Sequence, residues 1–232
     1  MNSILKISLF LCLVVQLTSC SSNENASSST GCKMDKDDAK NINEKRDIKG
    51  FTGVKLNNNS SVNIVKSKEF YVSVSGKPLA VKRVTTTISD NNLVIDLAEK
   101  CDKQPKTIVT VHLPNLTNIK LNGSGGMNVQ GGFRDSLFNV NITGSGNITV
   151  DPLSHFGTST IKISGSGNFD AFRAICDHAN LEITGSGNIK ISPLKSLNAI
   201  ISGSGNVNYG AYEGMDVKYQ LTGSGTLRKF SR

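Results

Sequence analysis

From Phe51 onward, apolar and polar residues alternate along the chain, and after Leu121 the alternation recurs with a fixed phase. Six Gly-Ser-Gly tripeptides mark that phase, starting at Gly123, Gly144, Gly165, Gly185, Gly203 and Gly223, at intervals of 21, 21, 20, 18 and 20 residues. Two residues before each first glycine stand Leu121, Ile142, Ile163, Ile183, Ile201 and Leu221; four before stand Ile119, Val140, Ile161, Leu181, Ala199 and Tyr219. Four after come Met127, Ile148, Phe169, Ile189, Val207 and Leu227; six after come Val129, Val150, Ala171, Ile191, Tyr209 and Lys229. Apolar residues two apart on each side of a turn predict two half-buried β-strands per repeat. The residues between them before the turn (Lys120, Asn141, Lys162, Glu182, Ile200 and Gln220) are mostly polar and face solvent in this reading.

A period near 20 residues indicates stacked repeats. With two clear strands and a third, looser side per coil, the chain is expected to be all-β: a right-handed parallel β-helix, or β-solenoid, with Gly-Ser-Gly turns. The third side includes Asp151–His155, Ala171–Asp177 and Ser192–Lys195, and it absorbs the variation in interval. A β-sandwich is the alternative, but it leaves identical turns at a near-constant period unexplained.

Glycine suits the turn twice over. It tolerates positive φ, and it has no Cβ to strike the neighbouring coil. The structural turn residues are therefore Gly123, Gly144, Gly165, Gly185, Gly203 and Gly223, with their second partners Gly125, Gly146, Gly167, Gly187, Gly205 and Gly225. Stacking would align the intervening serines and set Asn147, Asn168, Asn188 and Asn206 in a hydrogen-bonded ladder. A phosphate-binding glycine loop needs other spacings and a following helix, and neither is present.

The first half is less regular, as terminal units of a repeat array often are. Val54-Lys55-Leu56-Asn57 repeats the pattern of Ile119-Lys120-Leu121-Asn122, with Asn58-Asn59-Ser60 in the place of the glycine turn. This reads as a degenerate first coil in which asparagine supplies the positive φ. Further strands are predicted at Phe70–Ser75, Val84–Ser89, Leu93–Leu97 and Thr107–Leu113, with a turn at Asp90-Asn91-Asn92.

The N-terminus reads differently. One basic residue, Lys6, precedes an apolar run, Ile7–Val15, that ends in Leu17-Thr18-Ser19-Cys20. The run is too short to span a bilayer and reads as an export signal. Its ending resembles a bacterial lipobox, which implies cleavage before Cys20 and lipid on that cysteine. An ordinary secretory peptide with a chance cysteine is the alternative. The expected organisation is a signal peptide over 1–19, a flexible tether over 20–46 and one β-helix domain over 47–232. Irregular coils occupy 47–118 of that domain and regular coils 119–232.

Charge adds little. The formal net charge is +8, and 19% of residues are charged, but the positives are scattered. No Lys/Arg stripe interleaved with aromatics points to nucleic acid. Of five cysteines, Cys12 leaves with the signal and Cys20 takes lipid, which leaves Cys32, Cys101 and Cys176. Cys32 and Cys101 are the candidate disulfide, with Cys176 the free thiol, although sequence does not determine connectivity.

The repeated Thr/Ser-Gly-Ser-Gly-Asn with flanking isoleucines, over roughly Phe51–Arg232, resembles the autotransporter adhesin head, or GIN, domain of Bacteroidetes envelope proteins. The resemblance implies a pectate-lyase-like β-helix and an adhesion role, and it carries over no functional residues. The chain shows no heptad stalk and no barrel segment, so a lipid anchor is expected in place of self-translocation.

No catalytic, cofactor-binding or metal-ligating constellation is legible. Asp151 and Asp170 differ in phase, adjacent Asp177 and His178 point to opposite faces if extended, and His112, His155 and His178 lack ligand spacing. The expectation is a non-enzymatic, lipid-anchored envelope protein, at the outer membrane, that binds a glycan or protein ligand at the cell surface. A polysaccharide-active β-helix enzyme and a periplasmic structural or sensing component are the alternatives. Oligomeric state and membrane face have no signature in the sequence.

Overall fold

The computed structural model describes residues 40–99, 106–210 and 212–230, all within the unit Cys32–Arg232. The elements in chain order are β1 (Ile42–Arg46), β2 (Gly53–Leu56), β3 (Ser61–Lys66), β4 (Tyr71–Gly76), α1 (Pro78–Arg83), β5 (Val84–Ser89), β6 (Asn92–Leu97), β7 (Ile108–Leu113), β8 (Asn118–Gly123) and β9 (Gly126–Gln130). They continue with β10 (Leu137–Gly144), β11 (Asn147–Val150), β12 (His155–Gly165), β13 (Asn168–Gly185), β14 (Asn188–Gly203), β15 (Asn206–Gly210), β16 (Asp216–Thr222) and β17 (Thr226–Phe230). Parallel strands stack into a β-solenoid of about five turns, roughly 21 residues per turn.

The repeat aligns as its phase requires. First glycine lies on first glycine: Gly123, Gly144, Gly165, Gly185 and Gly203 are successive register partners. The inward columns are buried, from Leu121, Ile142, Ile163 and Ile183 to Ile201, and from Met127, Ile148, Phe169 and Ile189 to Val207. Phe138 and Phe156 stack with ring centroids 4.1 Å apart inside this core. Each such buried side chain contributes roughly 1.5–3 kcal/mol. Cys176 is a buried, free thiol in the same core, and burial, the largest influence, pushes its pKa up to about 12.

The turns hold the coils together through backbone. The Gly123 carbonyl accepts the amides of Ser145 and Gly146 at 3.0 and 2.9 Å, and the Gly144 carbonyl accepts those of Ser166 and Gly167, both at 2.9 Å. The second glycine's carbonyl accepts the next asparagine's amide, as in Asn168 to Gly146 at 3.1 Å. Gly165 has φ of +123°, and a Cβ on it would lie 2.6 Å from the Gly144 carbonyl oxygen. Gly167 needs no unusual φ, but a Cβ there would meet Ile142 Cγ2 at 2.5 Å and the Gly146 carbonyl at 2.6 Å. The first glycine is required by conformation and space, the second by space alone.

Beside this backbone seam, the asparagines form the expected ladder. Asn168 donates to Asn147 at 2.7 Å, Asn188 to Asn168 at 2.8 Å and Asn206 to Asn188 at 3.0 Å, and the Thr226 hydroxyl closes the column on Asn206 at 2.6 Å. The turn serines are exposed, and the amides of Ser145, Ser166, Ser186 and Ser204 join the seam.

Several expectations need correction. The chain is already ordered at Ile42, within the segment assigned as tether, because β1 adds antiparallel to β4. The degenerate coil is not terminal. Parallel β2 lies between β6 and β8, and β3 lies between β7 and β9, so a later stretch of chain sits outside an earlier one. The crossing is made by β4, α1 and β5, with β4 antiparallel to β7 and β5 antiparallel to β6. The helix was not anticipated; Pro78 starts it, as proline can at a first turn. Asn58 does not supply positive φ. Its Oδ1 instead accepts the Ser60 amide at 2.8 Å, and the Ser60 hydroxyl bonds Thr107 at 2.6 Å. Positive φ falls on Asp90 and Asn91, at the predicted hairpin turn. In the last coil, Tyr219 and Leu221 occupy inward positions but are 61% and 40% exposed, because no described coil covers them.

The seam has a direct consequence. Gly165→Val and Gly167→Val, compared by denaturant melts with Ser166→Ala, should include at least one variant destabilised by about 1–3 kcal/mol through strain, with clash in addition. Ser166→Ala should stay within about 0.5 kcal/mol, because the side chain is exposed. The same valines at Gly223 and Gly225 should cost less, since only one neighbouring coil is disturbed.

Candidate functional site

The outward residues of β12, β13, β14 and β16 form a regular surface. Register sets Thr160, Asn180, Asn198 and Lys218 in one column and Lys162, Glu182, Ile200 and Gln220 in the next. A third column runs Ser164, Thr184, Ser202, Thr222 along the rim beside the turn serines. Neighbouring rungs of such a ladder lie about 4.8 Å apart. Thr160, Lys162, Asn180, Glu182, Asn198 and Ile200 line an open groove of about 360 Å³. Lys162 Nζ bridges to Glu182 Oε2 at 2.7 Å across two rungs; both side chains are about half exposed, so the pair adds little stability. Ile200 is an exposed apolar member of an otherwise polar surface.

The two polar surfaces differ in availability. The asparagine ladder spends its amides on itself. Asn180 and Asn198 are exposed on the other surface, with donor and acceptor groups in a fixed array. A scaffold pinned by backbone bonds pays little ordering cost when such groups meet a ligand.

The third side holds a cluster that sequence reasoning missed. His155 Nε2 donates to Asp177 Oδ1 at 3.0 Å, and Lys195 Nζ lies 2.9 Å from Asp177 Oδ2. His155, with Lys195 second, holds the Asp177 carboxyl below the usual carboxylate range. A carboxylate stabilised in this way contributes at neutral pH, and its contribution is lost as pH falls through the depressed pKa. His178 Nδ1 lies 2.8 Å from the Ser196 hydroxyl. Asp177 and His178 do not point to opposite faces as an ideal strand would require. Register shifts flank Cys176, and Cys176 and Ala179 both point into the core, which leaves Asp177 and His178 both outside. The same break occurs one coil earlier, where Phe156 and Ser159 are buried around Gly157 and Thr158 in unbroken register with Cys176–Ala179, so a corner shared by the two coils resets the alternation. The spacings of 22 and 18 residues from Asp177 equal one coil up and one coil down, which was the available signal; the broken alternation at the coil corner hid it.

The histidine–aspartate and serine–histidine pairs use different histidines, so they do not form a nucleophile–base–carboxylate relay. Among the described residues no three His, Cys, Asp or Glu side chains are grouped to hold a metal. Every first glycine of the six turns has φ between +113° and +124°. Cys20 and the candidate pair Cys32 and Cys101 lie outside the described residues.

No curated protein matches the chain significantly. Solved structures do. A "putative adhesin" from Bacteroides fragilis is 17% identical, with TM-score 0.63, over 82% of this chain and 97% of that one. A "putative adhesin" from Parabacteroides merdae is 19% identical, with TM-score 0.53, over 83% and 97%. A "putative lipid binding protein" from Parabacteroides distasonis is 17% identical, with TM-score 0.50, over 83% and 98%. At these identities the likeness establishes the shared fold. The signature described as "Putative auto-transporter adhesin, head GIN domain" matches residues 50–155 and 154–211, and the chain belongs to that family.

Proposed function

We propose that the protein is a lipid-anchored, non-catalytic adhesion module of the cell envelope, and that it binds hydroxyl-rich ligands such as glycans on the outward face of β12–β14. The observation that carries this reading is the groove lined by Thr160, Lys162, Asn180, Leu181, Glu182, Asn198 and Ile200, a regular polar array with an exposed apolar residue, Ile200. Ligand sites of this kind combine a few placed polar groups with apolar surface. Family membership supports adhesion. Leu17-Thr18-Ser19-Cys20 after an apolar run supports anchoring through Cys20, at the outer membrane. Several acyl chains on one cysteine hold a domain to a membrane far better than one chain does.

The anchor is tested by fractionation. Cys20→Ala should abolish incorporation of labelled fatty acid and move the protein out of the membrane fraction. A variant still labelled and membrane-bound overturns the assignment.

The face is tested on a glycan array with the detergent-extracted full chain. Asn180→Ala combined with Asn198→Ala should weaken binding about tenfold, equivalent to about 1.4 kcal/mol, with an unchanged melting temperature. Cleavage of an array polysaccharide would favour an enzyme. Binding unaffected by the double variant would place the ligand elsewhere.

A further inference from the structure

The two ends of the stack are built differently. At one end β4 and β5 lie antiparallel on the outermost coil, and α1 buries Ala80 and Val81. Arg46 Nη2 donates to the carbonyl of Val81 at 3.2 Å, tying β1 to that helix. The edge strand β1 carries Glu44, Lys45 and Arg46, and charged edges resist further pairing.

The other end has none of these devices among the described residues. β16 pairs only with β14, and β17 only with β15, so each leaves one edge of backbone donors and acceptors unpaired. Their inward side chains continue the core columns. Val217 follows Leu197, Tyr219 follows Ala199, Leu221 follows Ile201 and Leu227 follows Val207. The four residues beneath are at most 1% exposed, whereas Tyr219 and Leu221 are 61% and 40% exposed. The coil thus ends in an apolar surface beside an open parallel edge, a template for strand addition.

We infer that this end docks a second copy of the chain, tail to tail, through antiparallel pairing of β16 with itself about a two-fold axis at Tyr219. The β16 sequence fits that operation. Pairing all seven residues, Asp216–Thr222, sets Val217 opposite Leu221, Lys218 opposite Gln220 and Asp216 opposite Thr222, with Tyr219 on its own copy. Every inward residue then meets an inward residue, and no like charges face each other. Apolar cross-strand pairs of this kind are stabilising, and like charges directly opposite are not. β17 fits less well, because its adjacent Arg228 and Lys229 face themselves in a pairing centred on either. Continued head-to-tail stacking is blocked by α1 and β1 at the far end, so the association closes at two copies, as an isologous interface does.

The test uses the full chain extracted in detergent. Its protein mass by light scattering should be that of two chains. Leu221→Lys, a substitution at a partly exposed site, should convert it to one chain with unchanged circular dichroism. Tyr219→Cys should form an oxidant-induced disulfide dimer well above the wild-type background. Ile88→Cys, on the exposed part of β5 at the capped end, should not. A monomeric wild-type chain overturns the inference. So does a dimer that survives Leu221→Lys, or equal cross-linking at both ends. Should Leu221→Lys unfold, the cross-linking pair decides alone.

Discussion

The carbonyls of Gly123, Gly144, Gly165, Gly185 and Gly203 accept amides from the next turn, and the rest of the structure depends on that contact. It requires the two backbones to approach so closely that a Cβ at Gly165 or Gly167 would sit 2.5–2.6 Å from its neighbours. Once the turns are held, strands on both sides fall into register. Isoleucine lies on isoleucine, asparagine on asparagine, and the outward columns line up without further instruction. Where the glycines give way to Asn58-Asn59-Ser60 the seam loosens at the first glycine alone: a Cβ on Gly123 would meet the Asn58 carbonyl at 3.5 Å, whereas one on Gly125 would still lie 2.7 Å from the Ser60 carbonyl. Side-chain bonds from Asn58 and Ser60 then hold the turn instead.

The regular half was legible because period and alternation are local properties of the chain. Ile142 and Ile148 could be placed inward, and Asn147 on its ladder, from spacing alone. What escaped were features set by long-range topology or by a broken alternation. The strands near Leu93 and Val109 were visible, but nothing local says that their coil lies outside the one formed earlier. The cluster of His155, Asp177 and Lys195 needed the coil corner after Cys176, which breaks the facing that alternation assigns. Solvent at the final coil was hidden too, because Tyr219 and Leu221 obey the inward pattern and lack only a neighbour.

The proposed function rests on the same rigidity. A stack held by backbone bonds presents the outward residues of successive coils at a fixed spacing, and their identities are free to vary because they do not carry the fold. Thr160, Asn180 and Asn198 can therefore serve a ligand without cost to the core, whereas the asparagines beside the turn are committed to the structure. The ends are constrained in another way. One is closed by a helix and a charged strand, and the other, among the described residues, leaves the core columns open at Tyr219 and Leu221.

Amide hydrogen exchange of the full chain tests the central claim most directly. In the turn Gly165–Asn168, Ser166 is exposed and Asn168 partly exposed, yet the amides of Ser166, Gly167 and Asn168 each donate to the coil below. The seam predicts that they exchange as slowly as strand amides at Ile161 and Ile163. Exchange at the rate of the exposed turn at Glu213–Gly214 would mean that the turns are ordinary loops, and the account of the fold would fail.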